Sequence, residues 1–373
     1  MNRWLQNRQA GPNGVARDSE SRVAEPGGRE ATGTRGLSVR DLRVGYRGRD
    51  AVLDGVDLDV QPGRRLAFVG ANGAGKTTLL RAVAGSVAAT SGDVVVDGVA
   101  LQRSRRGLER HRQLVQLVLQ DPADQLFSAD VFADVSFGPT NLGLPPDEVR
   151  RRVEETLDVL GISDLADRPV HQLSFGQQKR VAIAGAVAMR PAYLLLDEPT
   201  AGLDPAGVEA LLASLTSLEE RGTTIALSTH DLAFAWEWAD DLALLHDGHL
   251  RQDAAHRVLS DEPALHAAAL RAPWQAQMLA RAGVTCAGPQ TSRDGGADGA
   301  IDGGAVEAVN EVVGGDAGPG DTAGDAGPGD AGGEGPGARR RPVIGAMPRT
   351  IDEIYDAVVS GVSRSSDGTA QAE

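Results

Sequence analysis

An α/β fold with a mainly parallel central sheet is predicted by three features of this 373-residue chain. Apolar runs of buried-strand length recur at Leu66–Val69, Val94–Val96, Leu114–Leu119, Tyr193–Leu196, Thr223–Leu227 and Leu242–Leu245. Segments with helical spacing alternate with them. The residues that end two of these runs, a glycine-rich turn after Val69 and an acidic pair after Leu196, stand where open α/β sheets bind ligands, at the C-terminal ends of strands.

In chain order, residues 1–36 are rich in Gly, Arg, Ser and Glu without apolar periodicity. They read as a disordered leader with no secretory h-region. The segment Gly70-Ala71-Asn72-Gly73-Ala74-Gly75-Lys76-Thr77 fits the G-x-x-x-x-G-K-[ST] pattern, with a strand before it and a helix after it. Its glycines let successive N–H groups curl around phosphate oxygens, and the helix that opens near Lys76 aims its positive end at the same charge. Lys76 is expected to reach the β and γ phosphates and Thr77 to ligate Mg²⁺. The chain has 37 Lys+Arg, but only Lys76 and Lys179 are lysines, which marks both as places needing a compact point charge.

Val149, Val153, Leu157 and Leu160 recur at helical spacing, as do Val208, Leu211, Leu212 and Leu215, the second set stopped by Gly222. Between them Leu173-Ser174-Phe175-Gly176-Gln177-Gln178-Lys179-Arg180 opens a further helix. Tyr193–Leu196 then ends in Asp197 and Glu198, followed by proline; a helix cap would account for one acid, not two. Asp204 and Pro205 suit an N-cap and a first-turn proline. His230 follows the strand at Thr223–Leu227, and Asp247-Gly248 between His246 and His249 reads as a hairpin turn rather than a chelating pair.

Glycine loop, signature octet and acidic pair in this order resemble the ATP-hydrolysing subunit of ATP-binding cassette (ABC) transporters, over roughly Leu37 to Pro273. The resemblance implies an ABC-type P-loop NTPase with an antiparallel β portion near Leu37–Val60 and an α-helical subdomain carrying the signature. It implies that Tyr46 stacks on adenine, that Gly70, Asn72, Gly73, Gly75, Lys76, Thr77 and Thr78 hold the phosphates of ATP, and that Mg²⁺ is held by Thr77, Gln120 and Asp197. Glu198 is then the base that polarises water, assisted by Gln120 and by His230 at the γ-phosphate. Ser174, Gly176 and Gln177 would close over the nucleotide of a second ABC subunit, in a homo- or heterodimer. Phe175 stands where many cassettes have glycine, and its ring is expected to alter packing at the dimer seam. Gln120–Ser128 and Val135–Gly143 further resemble the cobalt/nickel branch of energy-coupling factor importers, although Pro/Gly-punctuated loops would explain their turns.

Residues 274–286 read as an extension of the cassette. From 287 to 341 the chain turns to Gly, Asp, Ala and Pro, with Asp316-Ala-Gly-Pro-Gly-Asp321 repeated at Asp325–Asp330. Such composition cannot offset its ordering entropy and is expected to be a disordered linker, and its acids lack the fixed offsets of a calcium loop. The tail, 342–373, has Ile351, Ile354, Val358 and Val362 at the spacing of a short amphipathic helix, to dock on a partner or on the cassette. Removing residues 287–373 is expected to leave folding and basal ATPase activity largely unchanged.

The formal net charge of -15 and the lack of an aromatic-interleaved basic stripe argue against nucleic acid as a partner. Cys286 is the single cysteine, so no internal disulfide forms. The longest apolar stretches, such as Val181–Met189, fall far short of the roughly 20 residues that span a bilayer. Transport therefore calls for separate integral membrane subunits, with this chain at the cytoplasmic face of the membrane. The substrate expected from the resemblance is a divalent metal such as cobalt or nickel. A vitamin or other micronutrient is the alternative. A soluble cassette outside transport would carry paired cassettes or a long coiled-coil insertion, and a non-hydrolysing regulatory one would not be expected to keep both Glu198 and His230.

Overall fold

In the computed structural model, which describes residues 35–46, 51–283, 285–286, 343–344 and 349–356, the central sheet is built from strands that are apolar on both faces. β3 (Leu66–Val69), β7 (Tyr193–Asp197) and β8 (Thr224–Ser228) are buried at every position. This is the pattern that parallel strands take when both faces are covered. With β6 (Val115–Val118), β9 (Asp241–His246) and β10 (His249–Ala254) they form a six-stranded sheet in the order β10-β9-β3-β8-β7-β6. Only β10 runs antiparallel to its neighbour. It returns through a hairpin in which Asp247 and Gly248 both take positive φ, 46° and 78°, as the Asp-Gly pair predicts.

Alternate side chains of these strands feed two cores. Ala67, Val69, Leu194 and Leu196 join one cluster, and Leu66, Phe68, Tyr193 and Leu195 the other. The second core is closed by a four-stranded antiparallel sheet of β1 (Leu37–Gly45), β2 (Ala51–Val60), β4 (Ser91–Val96) and β5 (Val99–Ala100), in the order β2-β1-β4-β5. The run Val94–Val96 thus belongs to this sheet and not to the central one. β1 switches burial parity between Val39 and Leu42, where Asp41 takes φ 44° and the register with β2 shifts. Opposite, Gly92 lies so close that a Cβ would sit 2.3 Å from the Asp41 carbonyl oxygen.

Helices α1 (Lys76–Val83) and α2 (Arg105–Leu114) flank the second core, and α1 supplies Leu79, Leu80, Ala82 and Val83 to it. The other core is covered by α3 (Val131–Asn141), α4 (Pro146–Val159), α5 (Phe175–Val187), α6 (Pro205–Glu220) and α7 (Leu232–Trp238). α4 buries Val149, Val153 and Leu157, and Asp204 caps α6 through Gly207 N, as the sequence indicates. Most of Val135–Gly143, whose Pro and Gly would also suit a punctuated loop, lies in α3. Asp130 accepts from Ala133 N at 2.8 Å to start it, and the helix continues through Pro139. Gly138 lets it approach α5 and the residues just beyond: a Cβ there would lie 3.7 Å from the Gly185 carbonyl oxygen and 2.6 Å from Met189 Sδ.

The chain closes with α8 (Ala255–Leu259), α9 (Glu262–Ala267), α10 (Trp274–Arg281) and two residue pairs, β11 (Thr285–Cys286) and β12 (Val343–Ile344), which run parallel to each other. A short helix at 351–356 follows. Its Thr350 and Glu353 cap one another, Arg349 pairs with Asp240 at 2.6 Å, and Ile354 is 1 % exposed within the main core, whereas Ile351 faces solvent. Residues 349–356 therefore pack on the main core, one of the two destinations the sequence left open for this helix, and a deletion of 287–373 would remove Ile354 from that core. Val358 and Val362, like residues 1–34 of the leader and residues 287–341, lie outside the described residues. Ile354→Ala is predicted to cost about 2 kcal/mol, a fall of about 5 °C in melting temperature by calorimetry; an unchanged melting temperature would remove the tail from the stability of the fold.

Candidate active site

The glycine loop leaves β3 and enters α1 through backbone that side chains obstruct. Gly75, the residue before α1, has φ 105°, and a Cβ on Gly70 would lie 2.5 Å from the Leu245 carbonyl oxygen. Asn72 and Gly73 are exposed in the same loop. Lys76 is buried, its Nζ donating to the Gly70 carbonyl at 2.7 Å and standing 3.9 Å from Glu198 Oε1. Burial lowers the pKa of this ammonium, and the nearby Glu198 and Asp197 oppose the shift. Thr78 Oγ1 is 3.4 Å from the hydroxyl of Tyr46, an exposed ring beside α1.

Across from the loop, the ends of β7 and β8 deliver the acids. Asp197 and Ser228 are register partners, and Ser228 Oγ donates to Asp197 Oδ1 at 2.6 Å. The other oxygen, Oδ2, accepts from Thr77 Oγ1 at 2.7 Å. Ser228 Oγ also accepts from Glu198 N at 2.9 Å, and Glu198 Oε2 lies 2.8 Å from His230 Nδ1. Thr77, Asp197, Ser228, Glu198 and His230 are thus one hydrogen-bonded chain running from the phosphate loop to an exposed imidazole. Gln120, beyond the end of β6, lines a cleft with Thr77, Asp197 and Phe175.

Ser174, Gly176 and Gln177 form the first turn of α5. Ser174 Oγ accepts from Gln177 N at 3.3 Å and Gln177 Oε1 from Ser174 N at 3.0 Å, a reciprocal cap. The neighbouring Phe175 folds back on its own chain: a Cβ on Gly202 would lie 2.8 Å from the ring. That ring also covers Lys179, with Nζ 5.3 Å from its centroid.

Two residues in this network were not assigned roles from sequence. Ser228 is fully buried and joins both acids, but one serine ending an apolar strand gives no pattern to find. Lys179 carried a signal, as the second of two lysines. Its buried Nζ donates to the carbonyls of Glu198, Pro199 and Ala201, and desolvation brings its pKa down to about 8 against the pull of Glu198, Asp121 and Asp197.

The donor set suits a magnesium-bound polyphosphate. A glycine turn, an ammonium, and a threonine hydroxyl bonded to a strand-end carboxylate provide charge and hard oxygen. Among the described residues no group of three or more His, Cys, Asp or Glu could hold a metal by itself. Mg²⁺ is usually bound by one or two protein oxygens together with phosphates, and the Thr77 hydroxyl beside the Asp197 carboxylate is a donor set of that kind.

Comparison with known proteins agrees with this chemistry. The sequence pattern of the ABC transporter family matches residues 53–201. The cobalt import ATP-binding protein CbiO of Rhodobacter capsulatus is 50% identical over 258 residues, 69% of this chain and 92% of that protein. The energy-coupling factor transporter ATP-binding protein EcfA of Methanosphaera stadtmanae is 39% identical over 244 residues, 65% of this chain and 88% of that one. Among solved structures, cbiO1 of Clostridium perfringens, part of the ABC transporter complex cbiONQ, superposes with a TM-score of 0.57 at 38% identity, covering 65% of this chain and 98% of that one. A dimeric ATP-binding cassette in a post-hydrolysis state with ADP and Pi superposes with a TM-score of 0.54 at 27% identity, over 59% of this chain and 98% of that one.

Ser228→Ala leaves one oxygen of Asp197 and the Glu198 amide without their buried partner, so a loss of about 1–3 kcal/mol is predicted, read from the denaturation midpoint. An unchanged midpoint would show that water replaces the hydroxyl.

Proposed function

We propose that this chain, which belongs to the ABC transporter family and is an ATPase of the energy-coupling factor and cobalt importer type, powers uptake of a divalent metal such as cobalt or nickel. The observation that carries the hydrolytic part is the hydrogen-bonded chain from Thr77 through Asp197 and Ser228 to Glu198 and His230. Phosphoryl transfer asks mainly for positioning and for stabilisation of charge. Lys76 and the amides around Gly70, Gly73 and Gly75 hold the phosphates, and Tyr46 takes the adenine. Mg²⁺ would be held by Thr77, with Asp197 and Gln120, and would supply neutralisation of phosphate charge. Glu198, 9% exposed in its side chain and oriented through one oxygen by His230, takes the proton from the attacking water. Ser174, Gly176 and Gln177 complete the nucleotide site of a second subunit.

The membrane half of the reading rests on one surface. After β6, Gln125 accepts from Leu119 N at 2.8 Å, and the buried Asp134 of α3 accepts from Phe127 N and Ser128 N at 3.1 and 2.9 Å. The loop so pinned sets Phe127 edge-on to Phe137, ring centroids 4.7 Å apart, though the two residues are 65% and 50% exposed. Two rigid aromatic rings in solvent are suited to receive a partner. Among the described residues no helix is long and apolar enough to cross a membrane. In this reading the translocation path belongs to other, integral subunits, and the chain works against them at the membrane's cytoplasmic face, as the similarity to transporter ATP-binding proteins supports. The metal is favoured over a vitamin by the similarity to the cobalt import protein.

Glu198→Gln is expected to keep MgATP binding and lose nearly all phosphate release, while Lys76→Ala loses nucleotide affinity; near wild-type turnover in the former would remove Glu198 from its role. Phe127→Ala with Phe137→Ala should abolish co-purification of the membrane subunits at unchanged basal ATPase activity. Co-expressed with those subunits, the chain should give ATP-dependent cobalt or nickel accumulation that Glu198→Gln eliminates. Uptake of a vitamin and neither metal would replace the substrate.

A further inference from the structure

Lysine occurs twice in the chain, and the mechanism above uses only Lys76. Lys179 lies on the second turn of α5 and is 4% exposed. Its ammonium has three N–H donors, and each has a carbonyl: Glu198 O at 2.9 Å, Pro199 O at 3.0 Å and Ala201 O at 2.7 Å. Phe175 roofs it, so the residue that departs from the usual glycine shields this contact from water.

What the socket holds is the turn that begins at Glu198. There the backbone takes φ 48°, a left-handed conformation that a residue with a side chain adopts only where its surroundings impose it. Ser228 fixes the amide side of Glu198, and Lys179 fixes its carbonyl side and the next carbonyls. No other cation donates to these carbonyls among the described residues.

We infer that Lys179 is a positioning residue for hydrolysis: by holding the carbonyls of Glu198, Pro199 and Ala201 it keeps the Glu198 carboxylate in place to receive a proton from water. The inference rests on the assignment of Glu198 as the base.

The test is steady-state ATPase kinetics of the purified full-length protein with Lys179→Met, which keeps the length and apolar stem but removes the donors. A turnover number lower by about tenfold to a hundredfold is expected, the scale for a misplaced catalytic group, with KM for MgATP within about threefold because the phosphate loop is untouched. Lys179→Arg, which retains charge and donors, should return a substantial part of the lost rate at the same KM. Should the methionine variant not fold, Lys179→Gln, with two donors, should fold and give an intermediate rate. Unchanged turnover in a folded methionine or glutamine variant overturns the inference, as does a rise in KM that accounts for the whole loss, or an arginine variant no better than methionine. Glu198→Gln assayed beside them separates the two assignments. If it keeps wild-type turnover the base assignment fails; if it is inactive while Lys179→Met is fully active, only the role of Lys179 fails.

Discussion

The site depends on two adjacent parallel strands ending in register. Asp197 of β7 and Ser228 of β8 are paired, so the serine hydroxyl meets the carboxylate at 2.6 Å and the amide of Glu198 at 2.9 Å. A one-residue slip of either strand would send the acids to the opposite faces of the sheet. The register is specified because both strands are buried on both sides, with Leu194 and Leu196 serving one core and Leu195 the other. Hydrophobic packing remote from any ligand thus places the carboxylates.

Much of this was legible in the residues. β3, β7, β8 and β9 announce themselves as apolar runs because both of their faces are covered, and the glycine loop and acidic pair sit at strand ends where the sheet's polarity puts them. The antiparallel sheet was not legible from periodicity. The bulge at Asp41 breaks the alternation of β1, and Gly92, without a side chain, gives no hint of the close approach. α3 was hidden by Gly138 and Pro139, residues that read as breakers; Gly138 instead permits close packing on α5, and Pro139 is carried inside a helix already nucleated by Asp130. Ile354 showed its helical spacing but not its destination, because an amphipathic face says that something covers it and not what.

The same chemistry recurs at different scales. Lys76 and Lys179 are both buried ammonium groups satisfied by backbone carbonyls, one at the phosphate loop and one beneath the Glu198 turn. Burial lowers the pKa of both, and in both cases the nearby acids Glu198 and Asp197 resist the shift. The two acids therefore also help to keep both ammonium groups protonated.

The contact between Phe175 and Gly202 ties two distant positions of the chain to one another. A side chain at 202 meets two obstacles, the left-handed backbone at φ 76° and the ring, which a Cβ would approach to 2.8 Å. Shrinking residue 175 lifts the second obstacle and leaves the first. A side chain placed at 202 would instead have to push the ring aside, and with it the cover over Lys179. Substitutions at the two positions are therefore expected to be non-additive, the cost at 202 depending on what stands at 175.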